Sequence, residues 1–93
     1  MGTSLFNRNN GYFILSINGL TGSIPPEIGN LTNLIYLNLS GNQFTGSIPS
    51  QIGKLSNLTD LNLGGNQLTV IPSKIGNLTN LNELWLNINQ LSG

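Results

Sequence analysis

The apolar positions of this 93-residue chain recur with a period of 23 or 24 residues. The order leucine-x-x-leucine-x-leucine-x-x-asparagine occurs three times, ending at Asn42, Asn66 and Asn89. Each L-x-L step alternates, so its two leucines point to one face and the residue between them to the other. The pattern predicts strands of three to five residues centred on residues 13–15, 37–39, 61–63 and 84–86. These strands lie one repeat apart, so they should run parallel and stack about 4.8 Å apart.

A second phrase, I-P-x-x-I-G-x-L-x-x-L, also occurs three times, beginning at Ile24, Ile48 and Ile71. These isoleucines should return the chain to the core, and the proline after each ends a strand because it has no amide hydrogen. The glycine closes one short helical turn. Glycine also predicts a turn ahead of the phrase and at the end of the chain, at Thr21-Gly22, Thr45-Gly46 and Ser92-Gly93. Self-similarity at this period is typical of a solenoid, in which each coil buries its apolar side chains against its neighbours.

One asparagine recurs in every coil, at Asn18, Asn42, Asn66 and Asn89. We expect each side chain to turn inwards where the strand ends and leaves backbone groups unpaired. A side-chain amide both donates and accepts hydrogen bonds. The four asparagines therefore predict a structural ladder that joins successive coils.

These residues resemble the leucine-rich repeat family, and specifically its plant-type subclass, L-x-x-L-x-x-L-x-L-x-x-N-x-L-x-G-x-I-P-x-x-L-G-x. Residues 31–54 follow that pattern almost throughout, and the resemblance covers about residues 11–93. It implies a right-handed, curved solenoid of the α/β type, with a short parallel sheet on its concave face and short helical turns on its convex side.

The same alignment predicts the boundaries of the coils. Residues 1–10 form a degenerate N-terminal flank in which Asn7 and Asn10 replace leucines, and residues 11–93 form the solenoid. Its coils span about 7–30, 31–54, 55–77 and 78–93, the last one incomplete. The third coil is one residue shorter than the first two, because Val70 replaces the Gly-Ser step found at Gly22-Ser23 and Gly46-Ser47. We expect the chain to be a piece of a longer array, and its uncapped ends to favour end-to-end self-association.

Charge and reactive side chains are scarce. The chain has three basic and three acidic residues, and no cysteine or histidine. Nucleic-acid binding needs clustered lysine and arginine, so it is not expected. Disulfides, Cys/His metal sites and the usual histidine base are excluded. No apolar run reaches the roughly 18–20 residues of a membrane helix, and residues 11–17 are too short for a signal peptide. We predict no catalytic residue, cofactor or metal site.

The exposed positions form four columns on the concave face, and the first two hold the candidate contact residues. The first contains Tyr12, Tyr36, Asp60 and Glu83, and the second Ile14, Asn38, Asn62 and Trp85. Exposed aromatic residues are typical of binding hot spots, although aromatic residues also simply favour strands. Asp60 and Glu83 should lie close enough to share a cation or a basic partner group, or they form a solvated acidic patch. The predicted partner-binding residues are Tyr12, Tyr36, Asn38, Asp60, Asn62, Glu83 and Trp85.

The resemblance implies a function in binding, because family members mostly bind proteins, peptides or glycans. Many are ectodomains of receptor-like kinases or receptor-like proteins, and others are secreted. We therefore predict a non-catalytic module that binds a protein or peptide through its concave face, within a larger extracellular or cell-surface protein. Enzymatic activity would belong to another domain. The alternative is a structural or surface-active solenoid that binds ice or a polysaccharide.

Sequons for N-glycosylation occur at Asn30, Asn57 and Asn77, and a fourth at Asn38. They act as acceptors only in a secreted protein. A glycan at Asn38 would block the concave face, so the first three are the candidate sites.

Overall fold

The computed structural model describes residues 6–7, 11–14 and 19–91. Its strands are β1 (Phe6–Asn7), β2 (Tyr12–Ile14), β3 (Thr21–Gly22), β4 (Tyr36–Asn38), β5 (Gln43–Ser47), β6 (Asp60–Asn62), β7 (Gln67–Val70) and β8 (Glu83–Trp85). Within these residues, three 3-10 helices follow prolines, at Pro26–Asn30, Ser50–Lys54 and Ser73–Asn77. The predicted roles of Asn18 and of the Ser92-Gly93 turn fall outside the described residues. None of the helices within these ranges has the length and apolarity needed to cross a bilayer.

The predicted parallel sheet is confirmed. Strands β1-β2-β4-β6-β8 form one sheet, in which β2, β4, β6 and β8 run parallel and place Phe13, Leu37, Leu61 and Leu84 in register. Each of these four strands is three residues long and is centred one residue before the predicted centre, because the residue ahead of Phe13 or of the equivalent leucine also pairs. β1 was not predicted, and it pairs antiparallel with β2, so it covers that edge of the sheet.

The prediction of simple turns at Thr21-Gly22 and Thr45-Gly46 is wrong. Both pairs lie in strands of a second sheet, in the order β3-β5-β7, where Thr21 pairs with Gln43. Gly22 and Gly46 do have positive φ angles, 82° and 76°. The glycine preference of these positions is therefore real, because other residues rarely adopt this region. The second sheet forms through hydrogen bonds between neighbouring coils, and the local sequence of one coil does not indicate them.

The core runs through the middle of the stack. The side chains that are almost fully buried come from the repeated leucine, isoleucine and phenylalanine positions: Leu37, Leu39, Phe44, Ile48, Ile52, Leu55, Leu58, Leu61, Leu63 and Leu68. Burial towards the end of the stack depends on having a further coil on the C-terminal side. Leu61 is fully buried, whereas its equivalent Leu84 is 43% exposed.

The expectation that Ile71 returns the chain to the core is wrong. Ile24 and Ile48 are 3% and 1% exposed, whereas Ile71 is 40% exposed. The third coil is one residue shorter before this isoleucine, and no later coil packs over it within residues 19–91. The sequence pattern supplies the side chain, but its burial requires a neighbouring coil.

Candidate binding face of the five-stranded sheet

The outward side chains of β2, β4, β6 and β8 form the concave face. The strand register places Tyr12, Tyr36, Asp60 and Glu83 in one column and Ile14, Asn38, Asn62 and Trp85 in the next. The alternation within each strand turns the central residue inwards and its two neighbours outwards. All seven sequence-predicted contact residues therefore lie on one face, and Tyr12 and Trp85 are 44% and 51% exposed.

Two tyrosines form the aromatic end of this face. The ring centroids of Tyr12 and Tyr36 are 5.2 Å apart, and the ring planes are tilted by 45°. Asn38 Nδ2 donates a 3.3 Å hydrogen bond to the hydroxyl oxygen of Tyr36. Aromatic pairs at this separation attract each other beyond their buried area. The pair is therefore held in place before any ligand arrives.

The two asparagines of the second column also have a structural role that the repeat pattern does not predict. Asn38 Oδ1 accepts hydrogen bonds from the Ser40 amide at 3.0 Å and the Ser40 hydroxyl at 2.6 Å. Asn62 Oδ1 accepts one from the Gly64 amide at 3.1 Å. Asparagine two residues before a turning backbone commonly bonds in this way. Because both oxygens are occupied and Asn38 Nδ2 already donates to Tyr36, the NH₂ group of Asn62 is the better placed to meet a ligand.

The carboxylates lie side by side at the other end. Asp60 and Glu83 are direct partners in the register of β6 and β8. Asp60 Oδ1 accepts a 2.7 Å hydrogen bond from the Thr59 hydroxyl, and Glu83 Oε1 accepts a 3.3 Å bond from Trp85 Nε1. Neither carboxylate forms an ion pair with a residue that the structure describes. This end of the face is thus negatively charged and open to a partner.

The repeated asparagines lie at the edge of the core and connect the coils. Asn66 Nδ2 donates to the carbonyls of Leu39, Leu63 and Gly64, and its Oδ1 accepts from the Phe44 amide at 3.1 Å. Asn42 Oδ1 accepts from the Leu20 amide, and Asn89 Oδ1 from the Leu68 amide, each at 3.0 Å. Each side chain therefore joins its own coil to the one before it.

The candidate glycosylation sites are all accessible. Asn30 and Asn77 are exposed at the ends of the first and third 3-10 helices. Asn57 is exposed in the loop between the second 3-10 helix and β6. Asn38 is half-buried and its side chain is hydrogen-bonded on the concave face. The described residues contain no cluster of three acidic side chains suited to a metal ion.

Ile88 has a left-handed backbone conformation that the repeat pattern does not predict. Its φ angle is 57°, and the equivalent residues of the two preceding coils are Gly41 and Gly65, at 68° and 67°. Its side chain is 76% exposed, so it gains little from burial. A left-handed conformation costs an ordinary residue about 1–2 kcal/mol, and a β-branched one is a clear outlier.

Replacing Ile88 by glycine should therefore raise the free energy of unfolding by about 0.5–1 kcal/mol, after the entropy cost of glycine is subtracted. Urea unfolding followed by circular dichroism measures the change. Ile88→Ala is the control, because it removes the exposed side chain but keeps the Cβ atom. If alanine stabilises as much as glycine, backbone strain is not the cause.

Comparison with known proteins identifies the fold independently. A family model described as a leucine-rich repeat region matches residues 12–92. The complex of BIR3 and SERK2 from Arabidopsis thaliana contains a chain 44% identical, with a TM-score of 0.80, covering 86% of this chain and 44% of that one. The Arabidopsis receptor kinase HAESA, in complex with the peptide hormone IDA and the co-receptor SERK1, is 44% identical with a TM-score of 0.75, covering 78% and 13%.

A plant ice-binding protein is also similar, at 33% identity and a TM-score of 0.81, covering 91% of this chain and 30% of that one. No curated protein matches the sequence. The matched region covers less than half the length of each of the three similar structures, so the chain spans only part of them. The family model, the parallel sheet and the repeated 3-10 turns agree, and the chain belongs to the leucine-rich repeat family.

Proposed function

We propose that the chain is a non-catalytic binding module, which holds a protein or peptide on its concave face within a larger extracellular or cell-surface protein. The observation that carries the proposal is that Tyr12, Tyr36 and Trp85 lie on the same outward sheet face, which no other described element covers. The similarity to a receptor kinase in complex with a peptide hormone supports this class of ligand. The accessible sequons fit an extracellular parent protein.

The physical basis is a rigid surface with contact area already in place. The strands are fixed by their neighbours, and their aromatic side chains lose little conformational freedom on binding. Exposed tyrosine and tryptophan residues supply much of the binding energy at protein interfaces. A surface that is ordered before binding loses less entropy when the ligand arrives.

The test is selection of ligands from a random dodecapeptide library displayed on phage, with the chain immobilised. The double variant Tyr36→Ala/Trp85→Ala should lower the affinity of the selected peptides at least about tenfold, which corresponds to about 1.4 kcal/mol. The matched control is Gln51→Ala/Asn77→Ala, which removes two polar side chains from the 3-10 helices of the convex side. It should bind as the wild type does.

Two results would contradict this proposal. Peptides that bind the double variant and the wild type equally would show that the concave face is not the binding surface. A loss of more than about 1–2 kcal/mol of folding stability in the double variant would mean that the two aromatic residues act in packing rather than in ligand contact.

The second candidate is binding to ice, favoured by one group of side chains. Thr21, Thr45 and Thr69 occupy equivalent repeat positions on the second sheet, where the first two are exposed. The similarity to a plant ice-binding protein supports this second candidate. A hydroxyl-rich, regular surface should produce thermal hysteresis that disappears in Thr45→Tyr, which disturbs that surface. No hysteresis at millimolar protein would remove this candidate.

A further inference from the structure

We infer that the concave face selects a peptide with a cationic side chain, an arginine or a lysine, which binds between Asp60 and Glu83 and against the indole of Trp85. This inference rests on the proposed function and specifies its ligand. It predicts how the peptide is placed across the face as well as its chemistry, because the end with the two tyrosines and the end with the two carboxylates differ.

The first support is the geometry of the carboxylates. Asp60 and Glu83 are register partners on adjacent parallel strands, so their Cα atoms are about 4.8 Å apart. One oxygen of each carboxylate accepts a hydrogen bond from within the chain, from Thr59 and Trp85 respectively. Among the described residues, none donates to the second oxygen of either carboxylate, which is left for a ligand. Two adjacent acceptors match the forked donors of a guanidinium group.

The second support is the distribution of charge over the solenoid. Like charges directly opposite each other on adjacent strands are destabilising. The described lysines, Lys54 and Lys74, lie on the 3-10 helices of the convex side and do not pair with these carboxylates. A cation from a partner would remove the repulsion, whereas an anionic ligand would increase it. Charge complementarity therefore favours a basic partner segment on this face.

The third support is the indole beside the carboxylates. Trp85 is 51% exposed, and its Nε1 atom donates to Glu83, which fixes the ring next to the acidic pair. Arginine and lysine bind tryptophan faces more strongly than other aromatic rings. A side chain held by two carboxylates would place its aliphatic stem or its charge against this ring. Carboxylates and indole together recognise a cation better than either does alone.

The distance between the two ends predicts the spacing of the ligand motif. The centre of the Tyr12–Tyr36 pair and the centre of the Asp60–Glu83 pair are two strand spacings apart, or about 10 Å. An extended chain covers this distance in about three residues. Selected peptides should therefore carry an arginine or lysine about three residues from an apolar or aromatic residue.

The experiment uses the peptides selected on wild-type protein. Glu83→Gln keeps an oxygen acceptor for Trp85 Nε1 and removes the charge, and Asp60→Asn does the same for the Thr59 hydroxyl. Each variant should lower the affinity of the selected peptides at least about tenfold, and replacing the arginine of the peptide by uncharged citrulline should lower the wild-type affinity similarly. The matched control is Glu27→Gln, which removes the same charge from an exposed position on the first 3-10 helix.

The outcomes separate this inference from the proposed function. If the peptides are insensitive to Tyr36→Ala/Trp85→Ala, the proposed function fails. If they depend on the aromatic residues but lack basic residues and bind Glu83→Gln and Asp60→Asn unchanged, this inference is overturned while the proposed function stands. An equal loss in Glu27→Gln would show a general charge effect and would also overturn it.

Discussion

Asn66→Ala should lower the free energy of unfolding by about 3 kcal/mol. The side chain is 7% exposed and makes four hydrogen bonds in the structure. Its carbonyl partners keep other donors, because the Leu39 carbonyl also accepts from Asn42, the Leu63 carbonyl from Asn89 and the Gly64 carbonyl from the Gly41 amide. The main cost is therefore the buried Phe44 amide, which loses its acceptor, together with the cavity left behind.

The control for this prediction is another inter-coil asparagine. Asn80 is exposed and donates one 2.9 Å hydrogen bond to the Ser56 carbonyl of the preceding coil. Asn80→Ala should cost less than about 1 kcal/mol, because water replaces the lost donor. Urea unfolding of both variants measures the difference. Equal effects of the two substitutions would show that the buried ladder does not contribute more than an exposed contact.

Gly29→Ala should lower the free energy of unfolding by about 2–3 kcal/mol, because there is no room for a methyl group. A Cβ atom at this position would lie 2.6 Å from the Gln51 carbonyl oxygen and 2.8 Å from the Gln51 Cβ atom. These atoms belong to the next 3-10 helix, so the two coils would have to separate. Gly53→Ala should behave alike, since its Cβ would lie 2.8 Å from the Lys74 carbonyl oxygen.

The same repeat position supplies its own control. Gly76 is the third glycine of the series, and a Cβ atom there would meet nothing within 4 Å. Gly76→Ala should therefore be neutral, or stabilising by about 0.5 kcal/mol through the reduced entropy of the unfolded chain. Thermal or urea unfolding of the three variants tests the series. A loss at Gly76 as large as that at Gly29 would mean that local backbone conformation, and not the contact between coils, requires glycine.

The fold followed from the sequence because the same constraint is written into each coil. In each strand, two leucines flank one outward residue, and this alternation decides that Leu37 and Leu61 point into the core. The fixed period decides which residues of successive coils become neighbours. The composition of the concave face followed for the same reason: once the register is one repeat, Asp60 and Glu83 must be adjacent.

The hydrogen-bonding state of these face residues did not follow. Nothing local reveals that the oxygens of Asn38 and Asn62 are bound to their own backbone, or that Glu83 accepts from Trp85.

By itself, the sequence determined the repeat, the parallel register, the inward leucines and the column to which each outward residue belongs. These features depend on the period of the repeat, which is read directly from the recurrence of the same residues along the chain. The tertiary structure alone decided the second sheet, the different crowding at Gly29 and Gly76, the left-handed Ile88 and the exposure of Ile71. The physical reason is that pairing, burial and steric crowding in a solenoid belong to the contact between two coils.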